Sequence, residues 1–122
     1  MVPKLPLVRG DVVYVDLSGA AGNEKQGRRP CVVVGNDGGN RVSPLTIVAP
    51  ITDSGQYKGY PMQVLISAAD LGPGAKDSII ECGHLRTIDR DVRIDHGTGV
   101  WRHLSDEIMG RVDDALRASL GL

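Results

Sequence analysis

The sequence predicts a mainly β protein of the α+β type, in which five to seven short strands curl into a small barrel-like sheet and one helix closes it. Glycine and proline are frequent, with 16 and 7 residues in a chain of 122, which is typical of a turn-rich β protein. Short aliphatic and β-branched runs recur between turn signals. Apolar side chains at helical spacing occur only near the C-terminus. Residues 1–122 are therefore expected to form a single domain.

The predicted strands are short apolar runs bounded by turn-forming residues. They span residues 12–15, 31–35, 45–51, 62–66, 78–82 and 100–103, and the fifth continues past a bend at Gly83 to residue 88. Pro50 lies near the end of the third run, which predicts a sheet edge or a bulge there.

The segments between these runs have distinct expected structures. Residues 1–8 contain two prolines and are predicted to form an arm that leads into the first strand. Residues 36–41 read Asn-Asp-Gly-Gly-Asn-Arg, which predicts a turn with positive φ angles. Short helical turns are expected at residues 67–70 and within residues 89–95.

The C-terminal segment is the one clear helix. Ser105 is placed to cap it, and Asp106 and Glu107 suit the positive end of the helix dipole. Gly121 is expected to end it. The predicted apolar face consists of Leu104, Ile108, Val112, either Ala115 or Leu116, and Leu120.

Composition limits the possible functions. The formal net charge is −1, so any nucleic-acid binding must use a local basic patch. The few aromatic residues argue against a broad platform that stacks many bases. Cys31 and Cys82 lie in predicted strands, where buried apolar roles are expected, and their spacing matches no metal site. No run is long enough to span a membrane and no signal peptide begins the chain, so a cytoplasmic location is expected.

Residues 18–29 are predicted to form a long loop, and its glycine-bounded stretch from Gly22 carries four charged side chains and ends at Pro30. Pro30 favours an extended conformation for Arg29, so Arg28 and Arg29 are predicted to lie where a loop enters a buried strand. A guanidinium held at such a point could bind an anionic group in a fixed geometry. Alternatively, both arginines could be solvated charges at the end of a loop.

Familiar catalytic and metal-binding patterns do not fit the sequence. No nucleophile elbow accompanies the histidines, and no phosphate-binding P-loop occurs. The acidic segment with Asp89, Asp91, Asp95 and His96 matches no calcium or zinc template. What remains is a set of polar side chains at predicted strand ends, a combination suited to binding phosphate. This set comprises Glu24, Arg28, Arg29, Asn36, Thr52, His84 and Arg86.

Read together and in order, five segments resemble the MazF/PemK toxin family. They are Arg9-Gly10-Asp11-Val12-Val13, the pattern Gly22-x-Glu24-x-x-Gly27-x-Arg29-Pro30, Val32-Val33-Val34-x-Asn36-Asp37, Pro50-Ile51-Thr52 and Leu85-Arg86-Thr87-Ile88-Asp89. The start of the C-terminal helix at Leu104-Ser105-Asp106-Glu107 is also similar to the family's. Each motif is weak alone, but five in register across nearly the whole chain form a specific match.

The resemblance implies an SH3-like barrel (CcdB/MazF-like) with a C-terminal helix, a homodimer, and the toxin of a type II toxin–antitoxin system. The implied activity is an endoribonuclease that cuts single-stranded RNA at a short sequence without a metal or other cofactor. The ribose 2′-hydroxyl attacks the adjacent phosphate and leaves a 2′,3′-cyclic phosphate and a 5′-hydroxyl. A cognate MazE-like antitoxin is the implied protein partner.

The family's catalytic arginine and threonine fall on Arg29 and Thr52. We expect Arg29 to stabilise the charge that grows on the phosphorane, with proton transfer to the leaving oxygen as a second role, and Thr52 to donate a hydroxyl hydrogen bond. The expected RNA-binding side chains are Glu24, Lys25, Arg28, Asn36, Lys58, His84 and Arg86.

Several of these assignments have alternatives. Glu24 is expected to order the loop by pairing with Arg29, or to act as a general base. Asn36 could instead form a turn, and Arg86 could instead pair with Asp89. Related sequences commonly carry glutamine at the position of His84, and the two side chains differ in their hydrogen-bond donors, so this position bears on cleavage specificity.

A second class of function stays open on the same fold, namely a non-catalytic CcdB-like toxin that binds DNA gyrase. The pair Arg29 and Thr52 favours the ribonuclease. A gyrase binder would depend on its C-terminal residues, and here residues 119–122 carry no aromatic anchor.

Overall fold

The computed structural model describes residues 5–122, so the first four residues of the predicted N-terminal arm lie outside the described part. Seven strands form one sheet. They are β1 (Asp11–Asp16), β2 (Arg28–Val33), β3 (Leu45–Asp53), β4 (Gln63–Ile66), β5 (Ser78–Glu81), β6 (Arg86–Asp89) and β7 (Val100–His103). The helices are α1 (Asp37–Val42), α2 (Ala68–Leu71), α3 (Arg90–Arg93) and α4 (Asp106–Leu120), with a 3₁₀ turn at Ser54–Gln56. The predicted class, strand number and C-terminal helix are confirmed.

All recorded strand pairs are antiparallel, in the order β4-β5-β3-β2-β1-β7, with β6 also paired to β3. The nine-residue strand β3 is the centre of this arrangement. Its first half pairs with β6 and its last residues pair with β5, while β2 covers the middle of its other edge. The sheet therefore curls around β3, and residues near both ends of this strand reach the surface.

Pro50 is buried in the middle of the sheet, so the prediction of an edge position is wrong. It is paired with Cys31 of β2. On the opposite edge of β3, pairing with β6 ends at Val48 and pairing with β5 begins at Ile51. A residue without an N–H is tolerated here because it falls in the gap between two partner strands.

The predicted long fifth strand is two strands. β5 and β6 pair with different ends of β3, and a turn in which the His84 N–H donates to the Glu81 carbonyl separates them (3.1 Å). β2 begins earlier and β3 ends later than predicted, so Arg28, Arg29 and Thr52 belong to strands rather than to loops.

The predicted turn at residues 36–41 is the helix α1, and neither Gly38 nor Gly39 has a positive φ. Asn36 caps this helix, because its Oδ1 accepts from the Gly39 N–H at 2.8 Å. Buried Asn40 then accepts a hydrogen bond from the Thr46 hydroxyl at 2.7 Å. These side-chain bonds stabilise helical backbone in a sequence whose local preference is for a turn.

The helix α4 forms as predicted. Ser105 Oγ accepts from the Ile108 N–H, and Gly121 ends the helix with φ of 72°. Met109 is buried although it was not predicted, whereas Leu120 is 59% exposed, so its assignment to the apolar face is wrong. Among residues 5–122, no helix is long and apolar enough to cross a membrane.

The core has two parts, one on each face of the curled sheet. Between the sheet and α4 lie side chains such as Val12, Val32 and Ile51. On the other face, Val13, Cys31 and Val48 belong to the second cluster. Because side chains alternate along a strand, neighbouring residues of β1, β2 and β3 contribute to different clusters. Burial on both faces explains why these strands read as continuous apolar runs in the sequence.

Candidate functional site

Two clefts open beside the loop 18–27, where β2 begins and β3 ends. The first cleft has a volume of about 450 Å³, and its lining includes Tyr14, Arg28, Arg29, Thr52, Lys76 and Trp101. The second cleft has a volume of about 330 Å³, and its lining includes Leu17, Glu24, Lys25, Pro50, His84 and Arg86. Seven of the nine predicted site residues therefore line one of these two adjoining clefts.

Arg29 and Thr52 come together through the register of β2 and β3. The recorded pairs run from Val33↔Val48 to Cys31↔Pro50. Two residues further on, the same register places Arg29 opposite Thr52, and cross-strand partners point to the same face of a sheet. Both residues also line the first cleft. Two side chains far apart in the sequence thus meet at one end of the sheet.

The guanidinium of Arg29 is only partly used within the described residues. Its Nε donates to the Gln26 carbonyl at 2.9 Å, while Nη1 and Nη2 donate to no other group among residues 5–122. The side chain is half-buried. One hydrogen bond therefore orients the planar group, and its two terminal nitrogens remain available for a ligand.

The buried thiol of Cys31 is influenced by two guanidiniums. Burial raises the pKa of Cys31 to about 12, and the positive charges of Arg29 and Arg86 oppose that rise. Arg29 lines the first cleft and Arg86 the second. Each cleft therefore has a guanidinium in its lining, and this positive charge suits a phosphate.

Thr52 is buried, with 7% exposure, and its hydroxyl has no hydrogen-bond partner among residues 5–122. Leaving a buried hydroxyl unpaired costs about 1–3 kcal/mol. Such groups are rare in folded proteins and call for an explanation. A ligand that accepts a hydrogen bond at this position would satisfy the hydroxyl.

Arg86 binds a backbone carbonyl at the start of the loop 18–27 and forms no ion pair with an acidic neighbour among residues 5–122. Its Nη1 donates to the carbonyl of Leu17 at 2.7 Å. The alternative pairing with Asp89 is wrong, because the Asp89 carboxylate accepts from the N–H groups of Asp91 and Val92 and caps α3. Arg86 thus ties the beginning of the loop to β6 at the floor of the second cleft.

Glu24 also serves the loop, but not in the predicted way. Its Oε1 accepts from the N–H of Ala21 at 2.6 Å. The expected ion pair with Arg29 does not form. Glu24 therefore orders the loop through a local turn, and the carboxylate and Lys25 both face the second cleft.

His84 lines the second cleft beside a buried carboxylate. Its Nε2 lies 3.6 Å from Oε2 of Glu81, whose Oε1 accepts from Gln63 Nε2 at 2.8 Å. The Glu81 side chain is only 5% exposed, whereas that of His84 is 40% exposed. The ring of His84 therefore lies between a buried carboxylate and the second cleft.

The side chain of Arg28 contacts three residues, namely Asp95, Thr98 and Tyr14. Its Nη2 forms an ion pair with Asp95 at 2.7 Å, and its guanidinium stacks over the ring of Tyr14 at 4.2 Å. The hydrogen bond and charge of Arg28, together with hydrogen bonds from Thr98, lower the pKa of Asp95 to about 2. Arg28 is therefore a fixed part of the wall of the first cleft.

This ion pair predicts an acid dependence of stability. Because the folded-state pKa of Asp95 is lowered from 3.8 to about 2, the carboxylate stabilises the fold fully above pH 4, and this contribution is lost as the pH falls towards 2. We expect Asp95→Asn to reduce thermal stability at pH 5 and to have a diminishing effect at lower pH. Asp114→Asn, in an exposed pair with Arg117, is the matched control. A constant difference between wild type and Asp95→Asn from pH 5 to 2 would contradict this assignment.

Two predicted RNA-binding residues lie apart from the clefts. Asn36 caps α1 and borders a small groove between α1 and β3. Lys58 is exposed, and its backbone N–H donates to Gln63 Oε1. For Asn36 the turn-forming alternative is closer to the structure, because its side chain caps a helix. Neither residue is brought to Arg29 by the fold of the single chain.

Sequence reasoning missed several residues of the first cleft, of which Tyr14, Lys76 and Trp101 stand out. Tyr14 pairs with Pro30 across β1 and β2, so its place beside Arg28 and Arg29 follows from a register that the sequence does not display. Lys76 and Trp101 come from distant segments, and no local motif marks them.

The acidic segment has other roles in the described structure. The Asp89 side chain caps α3, and Asp95 binds Arg28 and Thr98. Across residues 5–122, no three His, Cys, Asp or Glu side chains are grouped so that they could hold a metal ion.

Comparison with known proteins identifies relatives of this arrangement. Residues 8–120 match the family described as "PemK-like, MazF-like toxin of type II toxin-antitoxin system". The chain is 46% identical over 114 residues to Endoribonuclease EndoA of Bacillus subtilis (strain 168), a match that covers 93% of this chain and 94% of that protein.

Solved structures share the fold over nearly the full length. MazF (Form-I) from Deinococcus radiodurans superposes with a TM-score of 0.76 at 25% identity, covering 100% of this chain and 99% of that one. An endoribonuclease in complex with its cognate antitoxin from Mycobacterial species gives a TM-score of 0.72 at 21% identity, over 95% of this chain and 96% of that one, and shows the fold alone. The predicted CcdB/MazF-like barrel is confirmed. The chain belongs to the PemK-like, MazF-like family of toxins of type II toxin–antitoxin systems.

Proposed function

We propose that this chain is an endoribonuclease toxin that cleaves single-stranded RNA at the boundary of the two clefts, with Arg29 and Thr52 acting on the scissile phosphate. The observation that carries this proposal is the convergence of a partly unpaired guanidinium and an unpaired buried hydroxyl on one end of the sheet. The relative that is 46% identical is named an endoribonuclease, which supports the same activity.

The proposed reaction is an attack by the ribose 2′-hydroxyl on the adjacent phosphorus. The 2′-oxygen gives up its proton as it bonds to phosphorus, and the bond from phosphorus to the 5′-oxygen of the next nucleotide breaks. The 5′-oxygen takes up a proton, so the products are a 2′,3′-cyclic phosphate and a 5′-hydroxyl with no net gain or loss of protons. The intermediate carries additional negative charge on the non-bridging oxygens. Donors that are already oriented towards those oxygens lower the barrier, because they do not need to reorganise during the reaction.

Arg29 supplies two parallel N–H donors to this charge. The hydrogen bond from Nε to the Gln26 carbonyl fixes the plane of the guanidinium before RNA binds. Because a guanidinium carries a positive charge and has hydrogen-bond donors but no acceptor, its main role is electrostatic and not that of a base. Proton donation to the leaving 5′-oxygen is a second role that the same geometry allows.

Thr52 supplies a third donor from the neighbouring strand. A β-branched side chain in a strand has few rotamers, so its hydroxyl direction is restricted. When the phosphate accepts from this hydroxyl, the cost of the unpaired buried oxygen in the free protein is relieved. This hydrogen bond raises the rate to the extent that it is stronger with the charged intermediate than with the phosphate of bound RNA.

The second cleft then receives the nucleotides on one side of the scissile bond. Lys25 and Arg86 contribute positive charge, and His84 presents a ring edge that can hydrogen-bond a base. We assign recognition of the RNA sequence mainly to this cleft. Arg28 lies in the first cleft, while Asn36 and Lys58 are proposed to contact RNA only outside both clefts.

The proposed partners are single-stranded RNA, a second copy of the chain in a homodimer, and a cognate MazE-like antitoxin. The family description places the chain in a toxin–antitoxin system, which supports an antitoxin partner. A cytoplasmic location is proposed because RNA is the substrate.

One experiment tests activity, product chemistry and metal dependence together. Purified protein is incubated with a long RNA in excess EDTA, and the 5′ ends of the products are mapped. We expect cleavage at a short recurrent sequence, with 5′-hydroxyl ends that polynucleotide kinase labels without prior phosphatase treatment. A matched incubation with Mg²⁺ should give the same sites and rate.

Loss of cleavage in EDTA that returns with added metal would contradict the metal-independent mechanism. The gyrase-binding alternative predicts no RNA cleavage in either buffer and inhibition of DNA supercoiling by gyrase. The family match and the named endoribonuclease relative favour the ribonuclease over this alternative.

A further inference from the structure

The first cleft contains an aromatic pair that the proposed chemistry at Arg29 and Thr52 does not use. The rings of Tyr14 in β1 and Trp101 in β7 have centroids 5.4 Å apart and meet at 48°. Both side chains are only half-buried and line the cleft. The tilted contact leaves part of each ring uncovered by the other, so an aromatic surface faces the same space as the two proposed catalytic residues.

A β-bulge places Trp101 in this position. β1 and β7 pair as Val12↔Arg102 and then Val13↔Val100, so Trp101 has no partner in the ladder. Without the bulge, Trp101 would stand opposite Val13, whose side chain belongs to the core cluster on the other face. The extra residue instead turns the indole towards Tyr14. Bulges often redirect a side chain next to a functional site.

Two arginines stack on the pair, and each guanidinium lies over one face of its ring. Arg28 lies 4.2 Å from the centroid of Tyr14, and Arg102 lies 4.7 Å from that of Trp101. Arg102 is itself fixed by backbone carbonyls, including those of Leu71, Trp101 and Pro73. The rings are therefore held rigidly. Because they are already ordered, their side chains would lose little conformational entropy when a ligand stacks on them.

The remaining lining suits a nucleotide. Lys76 borders the cleft, is exposed, and has no ion pair with any of residues 5–122. A flat ring surface beside an unpaired cation is a common way to bind a base together with its phosphate. With only two rings, this surface accommodates one base, which agrees with the low aromatic content of the chain.

We propose that Tyr14 and Trp101 form a stacking surface for the nucleobase next to the scissile phosphate on the side of the first cleft. The inference rests on the proposed function and assigns the two clefts to opposite sides of the cleaved bond. Stacking of one base on an aromatic side chain contributes about 5- to 150-fold in affinity. Because every base has a π face, this contact positions the RNA without adding strong sequence preference.

The first test compares Trp101→Leu, Trp101→Phe and the control Tyr60→Leu on an RNA that contains the mapped cleavage site. Tyr60 is an aromatic residue that is exposed and lies outside both clefts. We expect Trp101→Leu to raise KM by about 5- to 150-fold, with kcat changed much less. Trp101→Phe should recover part of the loss, and Tyr60→Leu should match wild type. Unfolding curves identify any variant that is misfolded.

The second test needs no substitution, because Trp101 is the sole tryptophan of the chain. The probe is the same RNA with a 2′-deoxyribose at the attacking position, so that it binds without being cleaved. We expect saturable quenching of tryptophan fluorescence. An abasic nucleotide at the position that the first cleft receives, next to the scissile phosphate, should abolish the quenching and weaken binding. An abasic nucleotide on the other side of the scissile phosphate should leave the quenching in place.

The outcomes separate this inference from the proposed function. A protein that cleaves no RNA would refute both. A protein that cleaves RNA, but whose KM is unchanged in a folded Trp101→Leu variant, or whose fluorescence is unchanged by the bound probe, would refute only the stacking surface. Equal effects of abasic nucleotides on both sides of the bond would likewise overturn the assignment of one base to this surface.

Discussion

Arg29→Ala is expected to lower the rate of RNA cleavage by about 100- to 1,000-fold or more, which is the usual loss when a preorganised donor to a developing oxyanion is removed. The substitution deletes both terminal nitrogens that face the proposed phosphate position, while the only described hydrogen bond lost is that to the Gln26 carbonyl. The free energy of unfolding should therefore change little. Initial rates on the mapped RNA, together with thermal unfolding, measure the two effects separately.

Arg117→Ala is the matched control for this experiment. Arg117 is exposed on α4 and pairs with Asp114 within the same helix. Its substitution by alanine therefore removes one positive charge outside both clefts. Its cleavage rate should equal that of wild type. If Arg29→Ala retained full activity, or if Arg117→Ala lost as much, the assignment of Arg29 to the scissile phosphate would be wrong.

Thr52→Val is expected to change activity and stability in opposite directions. Removing the hydroxyl deletes one donor and should lower the cleavage rate by about 100-fold or more. The same change replaces a buried oxygen that has no partner among residues 5–122 with a methyl group, so stability should rise by about 1 kcal/mol. Thr52→Ser should restore part of the activity. Cleavage rates and urea unfolding measure both effects.

Thr46→Val provides the contrast, because Thr46 lies on the same strand and is equally buried, but its hydroxyl donates to Asn40 Oδ1 at 2.7 Å. Its removal leaves the Asn40 oxygen without a partner and should cost about 1–3 kcal/mol of stability, with cleavage unchanged. A loss of stability in Thr52→Val similar to that in Thr46→Val would mean that the Thr52 hydroxyl is paired in solution and is not held ready for substrate.

Much of the fold follows from local pattern. The apolar runs of β1, β2 and β3 predict strands because a sheet that is buried on both faces carries apolar residues at most of its inner positions. Ser105 and Gly121 predict the ends of α4 because capping depends on side chains and backbone angles at the helix ends themselves. These are short-range effects, so the sequence alone reports them.

The fold predictions that were wrong depend on contacts between distant segments. The Asn-Asp-Gly-Gly segment favours a turn locally, but the bond between Thr46 and Asn40 stabilises α1 instead. Pro50 signals an edge, yet it lies in a gap between two partner strands. In both cases the tertiary environment outweighs the local preference.

For the site, the motifs around Pro30 and at the end of β3 point to Arg29 and Thr52, and their resemblance to a known family assigns them roles. Sequence motifs do not show which groups the charged side chains bind. Arg28 binds Asp95 across 67 residues, and Arg86 binds the Leu17 carbonyl across 69. Long side chains pair with groups that the fold brings close to them. Closeness in sequence therefore does not predict these partners.

From its residues alone, the chain specifies a curled β sheet, one C-terminal helix, and a set of seven polar side chains suited to a phosphate, from which the family resemblance selects Arg29 and Thr52. These properties arise from periodicity, capping and residue chemistry, each of which acts over a few positions. The meeting of Arg29 with Thr52, the division of the site into two clefts, and the position of Trp101 required the folded chain. They depend on strand register and on a single bulge, and a shift of one residue in either would turn the side chain to the opposite face.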